Sequence, residues 1–147
     1  LIAAGGIATG SAMLAVMILG ADGVQVGSRF VASEEASSHQ LFKKMVVDAK
    51  EGDTHLTLKE LAPVRMLKNK FYDELQELYK KGPTVDQLKT LLGRARAKRG
   101  MFEGDLEDGE LEIGQIAGLI HDIKPAAQIV DDLIAEFNDA KEKAQSL

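Results

Sequence analysis

Residues 1–30 have the sequence LIAAGGIATGSAMLAVMILGADGVQVGSRF, and this stretch decides the fold of the chain. The apolar run Leu1-Ile2-Ala3-Ala4 ends at Gly5-Gly6, and Val24-Gln25-Val26 ends at Gly27-Ser28. Short apolar runs that end at glycine are typical of strands buried in a parallel sheet. A helix-length stretch lies between them, so the segment predicts a β–α–β unit with two parallel neighbouring strands.

The two glycine turns predict a phosphate site. Glycines directly after a strand allow backbone amides to approach an anion, and a helix that starts there adds partial positive charge. The Ser28 hydroxyl is an expected donor to a phosphate oxygen, and Arg29 an expected source of charge. The alternative is that the glycines only permit tight turns and close helix–sheet packing. The spacing does not match the dinucleotide pattern G-x-G-x-x-G. The predicted binding residues are Gly5, Gly6, Gln25, Val26, Gly27 and Ser28.

The rest of the chain is predicted to be mostly helical. Two strands followed by about five helices do not form a closed sheet. The fold class is therefore predicted to be α/β, the C-terminal part of a (β/α)8 TIM barrel, about strands 7 and 8, followed by a helical C-terminal region. Residues 1–50 are the expected βα units and residues 51–147 the expected helical region, with earlier barrel strands upstream. The predicted elements are helices at 33–49, 71–80, 85–98, 112–121 and from Pro125 onward, extended segments at 53–58 and 63–67, and an acidic loop at 100–109.

Composition excludes several classes of protein. The net charge of −5 over 147 residues argues against general nucleic-acid binding, and residues 94–99, RARAKR, are interpreted as a solvated helix end. The absence of cysteine fits a cytoplasmic protein. Residues 1–21 carry no charge, but Gly5-Gly6 and Thr9-Gly10-Ser11 interrupt the run, so no membrane span is expected.

The chain resembles the nitronate monooxygenase (2-nitropropane dioxygenase) family, which includes enoyl-[acyl-carrier-protein] reductase II. Residues 1–30 resemble the FMN-binding end of that family. Asp53-Thr54 with residues 64–69, VRMLKN, resemble its middle segment, and residues 104–109, GDLEDG, with residues 114–120, GQIAGLI, resemble its C-terminal signature. The resemblance covers nearly the whole chain in order.

The resemblance implies FMN as the cofactor, with Gly6 at its phosphate and Gln25, Val26, Gly27 and Ser28 forming the other half of the grip. Gln115 is expected in the segment that closes over the flavin, either packing in a helix or contacting substrate. The family's catalytic histidine lies upstream, so no catalytic residue is expected here. The three histidines, His39, His55 and His121, are interpreted as surface or capping residues, and no metal site is expected.

The resemblance implies one of two reactions. A nitronate monooxygenase oxidises an alkyl nitronate with O2, whereas the reductase uses NAD(P)H to reduce an enoyl thioester on acyl carrier protein. The chain by itself is expected to be inactive, and a homodimer is among the expected assemblies. Two alternatives stay open: a non-flavin barrel enzyme that binds a phosphosugar, and a helical interaction module without a ligand.

Overall fold

The structure, a computed structural model, describes residues 1–146 as a chain of short strands and helices. The elements are β1 (Ile2–Ala4), α1 (Gly10–Ile18), β2 (Gly23–Gln25), α2 (Ser28–Val31), α3 (Gln40–Asp48), β3 (Thr54–Thr57), β4 (Val64–Leu67), α4 (Lys70–Tyr79), α5 (Val85–Leu92), α6 (Arg96–Met101), a 3₁₀ helix (Gln115–Leu119) and α7 (Ala126–Gln145). The predicted region 51–147 is thus described up to residue 146.

The first three elements form the predicted β–α–β unit. β1 and β2 pair in parallel, with Ile2 opposite Gly23 and Ala4 opposite Gln25, which confirms the predicted pairing. The Thr9 hydroxyl accepts a hydrogen bond from the Ala12 amide at 3.1 Å and so begins α1. The prediction that β1 is buried is wrong for the described residues. Ile2 is 60% exposed because the pair has no further strand beside it within residues 1–146.

The two predicted extended segments form a hairpin. β3 and β4 pair antiparallel, with Thr54 opposite Leu67 and His55 opposite Met66. An isolated bridge between Met66 and Glu112 adds a third row to this small sheet. The hairpin therefore links the middle of the chain to the segment before the 3₁₀ helix.

The main core lies between α3, β4 and the segment around the 3₁₀ helix. Phe42 and Val46 of α3 are fully buried, and they belong to one cluster with Leu67 of β4, Leu111 and Ile120. Burial of apolar side chains of this size contributes about 1.5–3 kcal/mol each. A smaller cluster of Leu58, Leu75 and Leu88 joins the hairpin to α4 and α5. These contacts fix the hairpin and the 3₁₀ helix in relation to each other.

Three predicted helices differ from the structure. The helix predicted at 33–49 begins only at Gln40, because the Glu34 amide donates to the Lys124 carbonyl and Ser33 forms a parallel bridge with Lys124. The helix predicted at 85–98 begins with the expected Thr84 capping box but ends at Leu92, and Ala95 has a left-handed φ of 57° before α6. The helix predicted at 112–121 is a 3₁₀ helix over Gln115–Leu119.

The last helix, α7, packs across α1. Of the five residues predicted as its buried stripe, only Ile129 is fully buried, whereas Val130 and Ile134 are each 47% exposed. The prediction of a continuous buried stripe is therefore wrong. α7 packs on α1, and the two backbones approach closely at Gly10. Within residues 1–146, no helix is both long enough and apolar enough to cross a membrane.

Candidate functional site

The structure places the two predicted glycine turns at neighbouring strand ends. Because Ala4 lies opposite Gln25 in a parallel pair, Gly5 and the residue after Gln25 leave the sheet side by side. Gly5 and Gly6 both have positive φ, 83° and 73°, and a Cβ added at either would meet no atom within 4 Å. A side chain would be strained there and would project into open space, so the two glycines leave their backbone accessible to a ligand.

Gln25, Val26 and Gly27 continue the same edge from β2. Gln25 and Gly27 are exposed and Val26 is partly buried. Gly27 precedes α2, and no side chain caps that helix. They lie at the end of β2 next to the end of β1, but none of these three residues, nor Ser28, lines the cleft that contains Gly5 and Gly6.

Ser28 connects this edge to the 3₁₀ helix. Its hydroxyl accepts a hydrogen bond from the Gly114 amide at 2.9 Å, across 86 residues of sequence. A Cβ on Gly114 would lie 2.5 Å from the Ser28 hydroxyl oxygen, so this contact requires glycine. A serine hydroxyl that accepts one hydrogen bond keeps its own proton for another acceptor. Ser28 can therefore position the 3₁₀ helix and donate to an anion at the same time.

An open cleft of about 920 Å³ lies between the first glycine turn and the 3₁₀ helix. Gly5 and Gly6 line one side of the cleft, Gly114 and Gln115 line another, and Arg65 reaches it from β4. Its volume lies within the range of small-molecule and cofactor sites. Gln115 is exposed and lines the cleft.

Arg29 does not face the cleft as a free charge. Its guanidinium forms an ion pair with the Asp122 carboxylate and donates to the Asp122 carbonyl at 3.2 Å. The expectation that Arg29 adds charge to the phosphate site is therefore wrong. Desolvation raises the pKa of Asp122, but the hydrogen bond from Lys124 and the charge of Arg29 outweigh it and lower that pKa overall. The Arg29–Asp122 pair instead joins α2 to the segment before α7.

The start of α1 is also occupied. The Gly10 amide donates to the Glu136 carboxylate of α7 at 2.8 Å, and the Thr9 hydroxyl takes the Ala12 amide. A carboxylate already neutralises the partial positive charge at this helix end. The expected contribution of the α1 N-terminus to anion binding is therefore wrong, and the anion-binding groups on this side are those of the glycine turn.

Arg65 is a cleft residue that was not among the predicted site residues. It lies in the otherwise apolar strand β4, and its Nη1 donates to the Thr54 carbonyl at 2.9 Å and to the Thr54 hydroxyl at 3.2 Å. The sequence signal that could have identified Arg65 as a site residue is an arginine inside a short apolar strand, because a buried cation is rare without a partner.

The remaining polar motifs have structural roles. His39 caps α3 by accepting a hydrogen bond from the Leu41 amide at 3.2 Å, which confirms it as a capping residue. His55 packs against the Tyr72 ring and its Nε2 is buried without a hydrogen-bond partner, so the interpretation of His55 as a surface or capping residue is wrong. His121 is exposed. Among residues 1–146, no group of three His, Cys, Asp or Glu side chains lies close enough to hold a metal ion.

The acidic loop is held in place rather than freely solvated. The Asn69 side-chain amide donates to the Leu106 and Gly109 carbonyls, and Arg99 pairs with Asp105. Arg96 donates to the Leu91 and Leu92 carbonyls at the end of α5, to the Asp108 carbonyl, and stacks on Phe71. Arg96 is thus a cation at the C-terminal end of α5, as expected, but the interpretation of the cluster as solvated is wrong for this partly buried residue.

The chain is similar to known proteins over nearly its whole length. The family model described as nitronate monooxygenase matches residues 1–136. A probable nitronate monooxygenase of Staphylococcus saprophyticus is 30% identical over 139 residues, which cover 94% of this chain and 39% of that protein. The chain therefore spans about two fifths of the length of this relative.

Two solved structures have the same fold over nearly the whole chain. FabK from Thermotoga maritima is 42% identical with a TM-score of 0.90, and the match covers 99% of this chain and 46% of FabK. Nitroalkane oxidase from Streptomyces ansochromogenes is 32% identical with a TM-score of 0.74, and the match covers 97% of this chain and 40% of that enzyme. The α/β fold is thus the fold of these enzymes.

Proposed function

The chain belongs to the nitronate monooxygenase family, and on that premise we propose that it carries the FMN phosphate site of an FMN-dependent oxidoreductase. The observation that carries the proposal is the pairing of Ala4 with Gln25, which sets two glycine turns side by side. In this proposal residues 1–50 are the βα units of barrel strands 7 and 8, and residues 51–147 pack on the barrel.

The residues that follow β1 and β2 fit a phosphate ester. Gly5 and Gly6 have the positive φ that leaves amides open to an anion, and no side chain fills the space beside them. Gly27 and Ser28 follow β2 at the same edge, and the Ser28 hydroxyl keeps a proton to donate. A charge-assisted hydrogen bond of that kind contributes about 1.5–3 kcal/mol. Backbone amides and one hydroxyl recognise a phosphate without a neutralising lysine or arginine.

In the proposed enzyme these residues bind and orient, whereas FMN supplies the electron chemistry when bound. The glycine turns hold the phosphate end of the cofactor. The hydrogen bond between the Gly114 amide and the Ser28 hydroxyl holds the start of the 3₁₀ helix beside the proposed phosphate site. Gln115, the first residue of that helix, then faces the cleft and contacts flavin or substrate. No residue of this chain is assigned as the catalytic acid or base.

Two reactions remain for such an enzyme. We propose oxidation of an alkyl nitronate with O2 as the first, since the matching family model and the Staphylococcus saprophyticus relative are both described as nitronate monooxygenase. The second is NAD(P)H-dependent reduction of an enoyl thioester on acyl carrier protein. The observation that supports this second reaction is the 42% identity to FabK over 99% of the chain.

The deciding experiment uses the whole protein to which the chain belongs. Its absorbance spectrum is recorded first, and turnover is then measured with propionate-3-nitronate and O2 and with crotonyl thioester and NAD(P)H. A flavin spectrum with activity on one substrate assigns the reaction. Inactivity on both substrates contradicts both versions. A colourless protein that binds a phosphosugar would instead support the non-flavin barrel enzyme.

A further inference from the structure

Arg65 lines the cleft, and one edge of its guanidinium has no hydrogen-bond partner among the described residues. Only Nη1 has protein partners, the carbonyl and hydroxyl of Thr54. Nε and Nη2 have no hydrogen-bond partner within the described residues, although the side chain is partly buried. An arginine whose Nη1 is anchored in this way keeps the Nε–Nη2 edge, whose two parallel N–H groups match a pair of anionic oxygens.

The charge of Arg65 is also not neutralised by the protein. No carboxylate among residues 1–146 lies within 4.0 Å of its guanidinium nitrogens. Glu51 lines the same cleft, but it is exposed at the rim and does not pair with Arg65. A partly buried cation without a counter-ion costs free energy that a bound anion offsets. The other partly buried arginines differ in this respect, since Arg29 pairs with Asp122 and Arg96 donates to three carbonyls.

The position of Arg65 separates it from the proposed phosphate grip. Gly5 and Gly6, which follow β1, line one side of the cleft. Gly114 lines another side, and its amide donates to the Ser28 hydroxyl. Arg65 comes from the hairpin sheet, a different sheet from that of β1 and β2. Arg65 therefore approaches the cleft from a different sheet than the glycine turns do, and the test below separates an anion bound to Arg65 from the phosphate of the cofactor.

We propose that Arg65 is a specificity-determining residue that binds an anionic pair of oxygens on the substrate or co-substrate. This inference rests on the proposed function, because it places that group beside the bound cofactor. Two sources have the same chemistry: the planar NO2 group of a nitronate, and a phosphate of a nicotinamide or phosphopantetheine co-substrate. Arg65 is assigned no proton transfer.

The test measures anion binding to the whole FMN-loaded protein by calorimetry and by the change in flavin absorbance. Propionate serves as the planar probe, inorganic phosphate as the tetrahedral probe, and propionamide as the uncharged control. The variants are Arg65→Met, which removes the charge, and Arg65→Lys, which keeps the charge but loses the fork. Arg94→Met is the matched control, because Arg94 is exposed and lies outside the cleft lining.

We expect Arg65→Met to weaken binding of one anion by tenfold or more, and Arg65→Lys to weaken it several-fold. Arg94→Met should stay within twofold of the wild type, and propionamide should bind the wild type and Arg65→Met alike. If propionate binding depends on Arg65, the anion that Arg65 binds is the planar NO2 group of a nitronate. If phosphate binding depends on Arg65, that anion is a phosphate of the co-substrate. Thermal unfolding of each variant shows whether it is folded, and Arg65→Lys, which preserves a cation, keeps the test decisive if Arg65→Met unfolds.

Three results would overturn the assignment. The first is unchanged binding of both anions by Arg65→Met, and the second is an equal loss of propionate and propionamide. The third is loss of FMN itself from the Arg65 variants, which would make Arg65 part of the cofactor site. Failure of the wild-type protein to bind FMN contradicts the proposed function instead, and calorimetry without flavin then still decides whether Arg65 binds an anion.

Discussion

Replacing Ser28 by alanine gives the most direct test of the phosphate site. The substitution removes the hydroxyl proton that would be donated to the phosphate and the acceptor of the Gly114 amide. A hydrogen bond to a charged group contributes about 1.5–3 kcal/mol. Since about 1.4 kcal/mol corresponds to a tenfold change in affinity, FMN should bind about 10- to 150-fold more weakly. Loss of the acceptor should also lower the free energy of unfolding by about 1 kcal/mol.

The assay is a fluorescence titration of the apo form of the whole protein with FMN and, separately, with riboflavin. Riboflavin has the same ring system without the phosphate, so Ser28→Ala should change its affinity less than twofold. Ser28→Thr keeps the hydroxyl and should bind FMN nearly as the wild type does. The matched control is Ser38→Ala, which removes a hydroxyl that donates to the Val31 carbonyl at 2.7 Å and is not among the predicted phosphate-binding residues.

The outcome depends on how much Ser28→Ala weakens FMN binding relative to riboflavin binding. If Ser28→Ala weakens FMN and riboflavin equally, or weakens neither, the hydroxyl does not contact the phosphate and the reasoning is refuted. If Ser38→Ala weakens FMN as much as Ser28→Ala, the effect is one of general stability.

Three further predictions concern packing, pH and completeness. A Cβ at Gly10 would lie 2.2 Å from the Phe137 amide nitrogen, so Gly10→Ala should lower the free energy of unfolding by about 1–3 kcal/mol in urea denaturation, whereas Ser11→Ala on the exposed side of α1 should change it by less than about 0.5 kcal/mol. Burial, with a contribution from Glu112, raises the pKa of Glu110 from 4.5 to about 7. The native state then binds this proton more tightly than the unfolded state, so the free energy of unfolding should fall as pH rises from about 4.5 to 7. Glu110→Gln should reduce the difference in free energy of unfolding between pH 5 and pH 8 by an amount on the order of 1–3 kcal/mol. An unchanged difference would contradict this prediction. Finally, the 147-residue chain purified alone should show no turnover of propionate-3-nitronate or crotonyl thioester, and measurable turnover would disprove this expectation.

Local sequence determined the elements near glycine and capping residues. The parallel pairing of β1 with β2 followed from two apolar runs separated by one helix, because a crossover of that length permits only a parallel return. The Thr84 capping box and the hairpin strands were likewise visible in the sequence, because they depend on residues within a few positions of each other. The side-by-side glycine turns of the candidate site follow from the same local pattern.

Only the tertiary structure decided which polar groups are free to bind a ligand. Arg29 and the start of α1 looked available in the sequence, but Asp122 and Glu136, each more than 90 residues away, occupy them. Ser28 and Arg65 gained their positions in the same way, through Gly114 and the hairpin. The residue type shows which hydrogen bonds a side chain can form. The distant partner that folding places beside that side chain determines which donors and acceptors remain for a ligand.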